Sequence, residues 1–350
     1  MEALYDIISQ FGIPKEETEI TPLTSGLINH TYYVKTPGEN PDYILQSKNK
    51  NVFPDIPSMM NNIVKVTSHL KQKIKEKGGD PDREAMTIIN TKDGLPYYKD
   101  PEGEYWTMCL FINDTISYDV ADNPELARKA GEGIGKFQSQ LSDLNQPLQT
   151  VIEGFHDLGY RFKQWDRALV SGNKERIEKV SKEVEWVEKR RQEMERFWKL
   201  VEDGTLPKRV THNDTKLSNI LFDKNGEVLC VIDLDTVMSN TPLADYGDAI
   251  RSFANTGKED EPDLDKIDFD IQKYQAYTEG YLSYAKEMLN DQEVKYLPFA
   301  PLYITYEQVM RFLMDYIQDD QYYKIDYPEH NLIRTRAQMK LMERMEDYLV

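Results

Sequence analysis

The sequence predicts an α+β chain in which an antiparallel sheet with one main helix comes first and a mostly helical part carrying a β-hairpin follows. Three observations carry this expectation. From Glu19 to Ile112, short β-rich runs alternate with turn clusters around a single helical stripe. Beyond Asn113, apolar residues recur every three or four positions. Within that helical part, "NILFD" and "EVLCVID" flank Lys224-Asn225-Gly226, and Asn-Gly between apolar runs is a strong hairpin signal. The joint between the parts falls near Ile112 to Ser117, which sets expected domains of 1–112 and 113–350.

Taken in order, "MEALYDIISQFGIP" reads as a short amphipathic helix with Leu4, Ile7, Ile8 and Phe11 on one side, stopped by Gly12 and Pro14. "EITPLTSGLINHTYYVKT" and "DYILQSKN" are strand candidates separated by the turn cluster from Pro37 to Pro41. In "SMMNNIVKVTSHLKQKIKEKG", Met59, Ile63, Val66 and Leu70 mark one helix face and Gly78-Gly79 its end. "MTIIN", "LPYYKD" and "YWTMCLFI" supply further strands. The helical part then opens with Leu126, Ala130, Ile134, Phe137 and Leu141 on one face. A longer helix from about 173 to 204 follows, striped by Ile177, Val180, Val184, Val187, Met194, Trp198 and Val201. Such a stripe serves a dimer partner or, more simply, the helix's own domain, so a monomer and a homodimer both remain open. From Phe269 onward the chain is again helical and rich in tyrosine.

At 350 residues the chain can bury a core without disulfides. A formal net charge of -18 repels phosphate backbones at long range, so no nucleic-acid partner is expected, and an anionic ligand needs a locally positive or metal-filled pocket. The N-terminus lacks the basic start and apolar stretch of a signal peptide, and no window approaches the roughly 18 to 20 apolar residues of a membrane span. Cys109 and Cys230 lie singly in apolar runs with no metal spacing. These features are those expected of a cytoplasmic protein with no membrane partner.

The chemistry concentrates in "THNDTKLSNILFD", residues 211–223, where His212, Asp214, Lys216 and Asn219 satisfy H-x-D-x-K-x-x-N. A kinase catalytic loop needs a carboxylate facing the attacking hydroxyl and, five residues on, an amide oxygen facing Mg2+. A hairpin turning near Asn225 folds Asn219 back toward Val231, and strand alternation then puts Asp233 on the face of Val231. Asp214 therefore reads as the base and Asn219 and Asp233 as Mg2+ ligands, a small set of protein oxygens of the kind Mg2+ takes beside substrate phosphates. His212 reads as a structural hydrogen-bonder. Lys216 either neutralises the transferring phosphoryl group or faces solvent, and Asp235 reads as a metal ligand or a residue supporting one, with no assigned place.

The N-terminal part then has to hold the nucleotide. "TSGLINHTYYV" stands where a phosphate-covering loop is expected, yet it has only Gly26 and no G-x-G-x-x-G. In "YILQSK", Gln46 occupies the place of the phosphate-pairing lysine, and the helix from Ser58 to Leu70 has no acid to pair with one. Both halves of the usual ion pair are missing together. Lys48, on the strand face of Gln46, or His30 is the expected replacement charge.

With these segments in view, the chain resembles the aminoglycoside phosphotransferase and choline kinase group, and within it the N-acetylhexosamine 1-kinase branch. The resemblance rests on "SGLINHTYYV", "YILQSKNKNVF", "VTHNDTKLSNILFD", "VIDLDTVM", "DYGDAIR" and "RFLMDYIQDDQYYKI" and runs from about Gly26 to Ile325. Gln46 departs from the wider group, while "LQ" is usual in the branch. The resemblance implies a two-lobed protein-kinase-like fold, with ATP and Mg2+ as cofactors and Asp214, Asn219 and Asp233 in the roles given above. It also implies a hinge at 106–112, with Met108 and Leu110 offering backbone groups to adenine, and Asp245 or Asp248 bracing the catalytic loop. Arg311 and Tyr322 resemble sugar-contacting positions, although Arg311 could equally pair with an acid, and Tyr322 is one of 22 tyrosines. After "VIDLD" there is no Phe-Gly and no long activation segment, so the acceptor is expected to be a small molecule. The implied reaction phosphorylates the anomeric hydroxyl of N-acetylglucosamine or N-acetylgalactosamine. Alternatives are another sugar, a choline- or homoserine-like amino alcohol, an aminoglycoside, or a nucleotide-binding scaffold without catalysis.

Overall fold

The computed structural model describes residues 2–23 and 28–349, so Gly26 lies outside the described residues. In chain order the first elements are α1 (Glu2–Gln10), β1 (Glu19–Leu23), β2 (His30–Lys35), β3 (Tyr43–Lys48), α2 (Ile56–Glu76), α3 (Pro81–Glu84), β4 (Ile88–Ile89), β5 (Tyr98–Lys99) and β6 (Tyr105–Leu110). Then come α4 (Pro124–Leu141), α5 (Leu158–Ser171), α6 (Lys174–Lys179), α7 (Ser181–Glu202), β7 (Arg209–Thr211), β8 (Ile220–Phe222), β9 (Val228–Val231) and β10 (Met238–Asn240). The chain ends with α8 (Pro242–Phe253), α9 (Ile271–Ala285), α10 (Asp291–Tyr296), α11 (Ala300–Ile317) and α12 (His330–Leu349). The fold is α+β, as the sequence predicts. Backbone contacts divide it into two units: Met1–Ser117 with Gln140–Glu153 and Asn219–Ser239, and Tyr118–Ser139 with Gly154–Ser218 and Asn240–Val350.

In the first unit the antiparallel sheet runs β1-β2-β3-β6-β4, with β5 also paired to β6. Strand alternation sorts its side chains. Leu45 of β3 pairs with Tyr32 and with Met108, and this face, with Val34 and Trp106, buries Ile7 and Ile8 of α1 and Phe11 just after it. Ile44, Gln46 and Lys48 point to the opposite face. Two expected strands shrink to the residue pairs of β4 and β5. Helix α2 starts where the Asp55 carboxylate accepts the Ser58 amide and ends at Gly78, whose φ of 77° suits a residue without Cβ. Asn62, fully buried on α2, donates to the carbonyls of Gln149 (2.8 Å) and Val237 (3.0 Å) and accepts the Gln149 amide (2.8 Å). The helix is thereby tied to the segment that follows β9.

The second unit is built around α11, buried along nearly its whole length and packed on α12, α8, α5 and α7. A helix enclosed on nearly every side belongs inside a bundle. The long helix expected from 173 to 204 is instead two, because Val180 turns the chain with a ψ of 25° while burying its side chain completely. The α7 stripe of Val187, Met194, Trp198 and Val201 packs within its own unit, where the Tyr306 hydroxyl donates to the Val187 carbonyl. Helix α4 needs Gly131 and Gly135 because it meets α9 at backbone distance there. A Cβ on Gly131 would lie 2.2 Å from the Tyr277 carbonyl oxygen, and one on Gly280 would lie 1.9 Å from that of Arg128. Those atoms cannot retreat as a side chain can, so we expect Gly280→Ala to destabilise the protein by about 1–3 kcal/mol, read as a lowered Tm, whereas alanine at the exposed Lys286 just past the end of α9 should change Tm little.

Candidate active site

In the first unit, β8 pairs antiparallel with β9 through Ile220–Val231 and Leu221–Cys230. The Asp223 carboxylate accepts the Asn225 and Glu227 amides, and Gly226 takes the left-handed conformation with φ 77°, so the expected hairpin forms as a longer loop, not a two-residue turn. The Ile232 amide donates to the Asn219 carbonyl at 2.9 Å, setting Asn219 beside the end of β9. Asp233 lies past the last strand pair with φ 62° and ψ 56°, in a region that Asp tolerates better than most residues. Simple strand alternation therefore does not extend to Asp233, because the backbone reverses there into a 3-10 turn at Leu234–Thr236. Asn219 offers an amide oxygen and Asp233 a carboxylate, hard donors of the kind Mg2+ takes when phosphates complete its shell. Among the described residues no group of three or more His, Cys, Asp and Glu is arranged to hold a metal alone.

That same turn supplies the partner of Lys48. The Lys48 ammonium lies 2.7 Å from both carboxylate oxygens of Asp235 and 2.7 Å from Gln46 Oε1, with both charged side chains almost wholly buried (3% and 7% exposed). Gln46 donates in turn to Thr31 Oγ1 (3.2 Å), and Asn29 Nδ2 donates to Asp235 Oδ2 (2.8 Å). A buried lysine surrounded by a carboxylate and an amide oxygen is held in one direction. His30 pairs with Ser47, which places it on the sheet face opposite Gln46 and Lys48, and it is exposed. Met108 is buried on the α1 face, while the Leu110 amide donates to the Thr87 carbonyl at 2.9 Å.

In the second unit the loop after β7 is clamped by acids of α8. Asp245, fully buried, accepts the amides of His212 (2.9 Å) and Asn213 (2.6 Å) and the Gln138 side chain (2.7 Å). Burial pushes its carboxyl above the ordinary range, although all three donors favour the charged form. Asp248 accepts the Thr215 amide at 3.3 Å; burial works to raise it, but Arg251 at 3.0 Å and His156 outweigh burial and hold it low. Asn213 is left-handed (φ 66°), and the Asp214 amide donates to His212 Nδ1 at 3.2 Å. The Lys216 ammonium lies 3.1 Å from Asp214 Oδ2. Both Asp245 and Asp248 thus brace this loop, where the sequence left the choice open.

Arg311 lies on α11 in the same unit, one turn after Glu307. Its guanidinium sits 5.9, 6.0 and 5.5 Å from the rings of Phe155, Tyr322 and Tyr323 and donates to Gln308 Oε1 at 3.1 Å. Tyr322 itself is 68% exposed. Asp315 accepts the amides of Tyr322 (2.7 Å) and Tyr323 (2.9 Å) and so fixes the segment that carries both rings. The sequence reading did not place Asp235 and gave no role to Asn213, Gln138 or His156. Only Asp235 had a signal there, since it stands two residues after Asp233 in "VIDLD". The others are revealed by contacts between segments far apart in the chain.

The phosphotransferase enzyme family matches residues 19–282 of the chain. A microcompartment-associated aminopropanol kinase superposes with a TM-score of 0.64 at 16% identity, over 99% of this chain and 97% of its own. An amicoumacin kinase in complex with AMP-PNP and Ca2+ gives 0.62 at 12% identity, over 98% and 93%. A choline kinase of Cryptosporidium parvum Iowa II gives 0.57 at 16% identity, over 99% and 96%. At such identities the likeness is one of fold.

The buried Lys48–Asp235 pair can be tested without any ligand. Removing one partner leaves an uncompensated buried charge, so Lys48→Met and Asp235→Leu should each cost about 3–5 kcal/mol in urea denaturation. The double variant should lose markedly less than the sum of the two. Additive losses would mean that the two side chains do not pair in solution.

Proposed function

We infer that this chain, which belongs to the phosphotransferase enzyme family, is a small-molecule kinase that uses ATP and Mg2+ to phosphorylate a hydroxyl of an N-acetylhexosamine. The kinase reading is carried by the loop from His212 to Asn219, where Asp214 stands in H-x-D-x-K-x-x-N on a backbone clamped by two buried carboxylates. The AMP-PNP and Ca2+ in the amicoumacin kinase complex support a nucleotide and a divalent cation here.

In this reading Asp214 takes or orients the acceptor hydroxyl proton, and Lys216 offsets charge on the moving phosphoryl group. Asn219 and Asp233 would hold Mg2+, which when bound neutralises charge on the phosphate oxygens. Lys48, aimed by Asp235 and Gln46, meets the phosphates as the lysine that Gln46 displaced. The backbone at Met108 and Leu110 borders adenine, Gly26 belongs to the phosphate-covering loop, and His30 has no part in phosphate binding. His212, Asp245 and Asp248 keep the loop in shape. Nucleotide binding falls to residues 1–112 and catalysis and acceptor binding to 113–350. Such a machine accelerates transfer by positioning and electrostatics, with little covalent chemistry of its own.

The acceptor assignment rests on Arg311. A guanidinium set among three aromatic rings repels a cationic acceptor such as choline and offers hydrogen bonds to a neutral, oxygen-rich one. Tyr322 adds an exposed ring and hydroxyl of the kind that packs on a sugar. A scaffold that binds nucleotide without turnover is motivated by the substitution at Gln46, and the buried Lys48–Asp235 pair argues against it.

ADP release with Mg2+-ATP, measured across N-acetylhexosamines, hexoses, choline, ethanolamine, homoserine and an aminoglycoside, should be fastest with an N-acetylhexosamine, and NMR should locate phosphate on C1. Preference for an amino alcohol would overturn the acceptor assignment, and ATP binding with no turnover on any acceptor would favour the scaffold. We expect Asp214→Asn to lower kcat by about 10²–10⁴. Arg311→Leu should raise the KM for the acceptor while leaving that for ATP nearly unchanged.

A further inference from the structure

We propose that His156 is a positioning residue for phosphoryl transfer, held as an imidazolium between Glu307 and the Asn213 carbonyl so that it fixes the peptide leading into Asp214. The proposal rests on Asp214 as the base. His156 precedes α5 in "GFHDLG" and is buried, and its Nδ1 lies 2.7 Å from Glu307 Oε2 on α11. Its Nε2 lies 3.2 Å from the carbonyl oxygen of Asn213. A carboxylate and a carbonyl are both acceptors, so both ring nitrogens must donate, which only the doubly protonated ring can do.

The peptides around Asn213 are thereby gripped from two sides. The Asn213 N–H goes to Asp245 at 2.6 Å, and its carbonyl, in the bond to Asp214, goes to His156. Asn213 (φ 66°) and His156 (φ 52°) both hold left-handed backbones that non-glycine residues avoid, a conformation that persists only where surrounding contacts impose it. The Tyr303 hydroxyl donates to the His156 carbonyl, and Arg161 Nη2 donates to that of Gly154 at 3.4 Å, so the segment carrying His156 is itself fixed.

The charges facing His156 favour its protonated form. Glu307 and Arg311 come from α11, Asp248 from α8, and Arg161, which binds Glu307 Oε1 at 3.1 Å, from α5. Burial works against a charged ring, but Glu307, helped by Asp248, outweighs burial and the opposing Arg311, so His156 titrates above its ordinary value. Burial likewise works to raise Glu307, yet His156, Arg161 and Arg311 bring its carboxyl down to about 2. Since Glu307 and Arg311 are one turn apart on a single buried helix, His156 also couples the proposed acceptor residue to the base.

Three measurements test this. Side-chain 15N NMR of the wild-type protein at pH 7 should find both His156 nitrogens protonated, and a neutral tautomer would refute the proposal whatever the variants do. His156→Gln should lower kcat by about 10²-fold, the scale expected when a reacting group is misplaced by an ångström, with the KM for ATP nearly unchanged. A purely structural role would lower Tm and the titratable active fraction while kcat per active site held. Glu307→Gln, a second variant in case the first does not fold, removes the charge that raises His156. The alkaline limb of the kcat–pH profile should therefore move to lower pH, and an unmoved limb would overturn the assignment. Asp214→Asn assayed in parallel separates the two levels: normal turnover there removes the base reading itself, whereas its loss combined with normal turnover and an unshifted pH profile for the His156 and Glu307 variants removes only the positioning role.

Discussion

The buried carboxylate of Asp245 is the constraint on which the proposed chemistry depends. A carboxylate inside a protein is costly unless donors surround it, and here the donors are two consecutive backbone amides of the His212–Asn213 segment and the amide of Gln138. Solvating the acid and shaping the loop are thus one act: the loop cannot leave without stranding the charge. Gln138 is in turn held by the Tyr281 hydroxyl at 2.6 Å, so α4, α8 and α9 all support one bend in the backbone. The left-handed asparagine next to Asp214 is strained, and it persists because this much surrounding structure dictates it.

In the first unit, where the proposed nucleotide site lies, a different problem is solved. A lysine on a central strand needs an acid to aim it, and helix α2 offers none between Ile56 and Lys75. The acid comes instead from the turn after β9, two residues beyond Asp233. Helix α2 is left with a neutral task, since its buried Asn62 satisfies two carbonyls and an amide, one carbonyl belonging to Val237 just past that turn. Lysine orientation and the proposed metal ligand therefore depend on one short stretch of backbone.

The sequence disclosed what local chemistry determines. The alternating runs of β2 and β3, the glycine stop of α2 and the apolar side of α1 follow from short-range patterns and appear as expected. The Asn-Gly hairpin also appears, with only Gly226 left-handed. Long-range terms decided the rest. The stripe from 173 to 204 satisfied helical periodicity throughout, yet the chain breaks at Val180, which is fully buried where the two helices meet. His30 and Lys48 looked equally able to replace the lost lysine until strand register assigned them to opposite faces, which no inspection of either strand alone reveals. Gln138 reaches Asp245, which clamps the 212–215 loop, across 107 residues of chain, and His156 reaches Asn213 of that loop across 57.

Helix α11 has a consequence for how this protein can change over evolutionary time. Because nearly every residue from Ala300 to Ile317 is enclosed, the helix bearing Arg311 cannot slide or rotate to suit a new acceptor without disturbing the core of its unit. The segment after it behaves differently: Tyr322 and Tyr323 hang from Asp315 through backbone amides, bonds indifferent to which side chains the amides carry. Under the proposed acceptor assignment, new specificities are most accessible through substitutions in that segment, with the Arg311 anchor inherited unchanged. A lineage diversifying on this scaffold would keep its arginine and vary its aromatic rim.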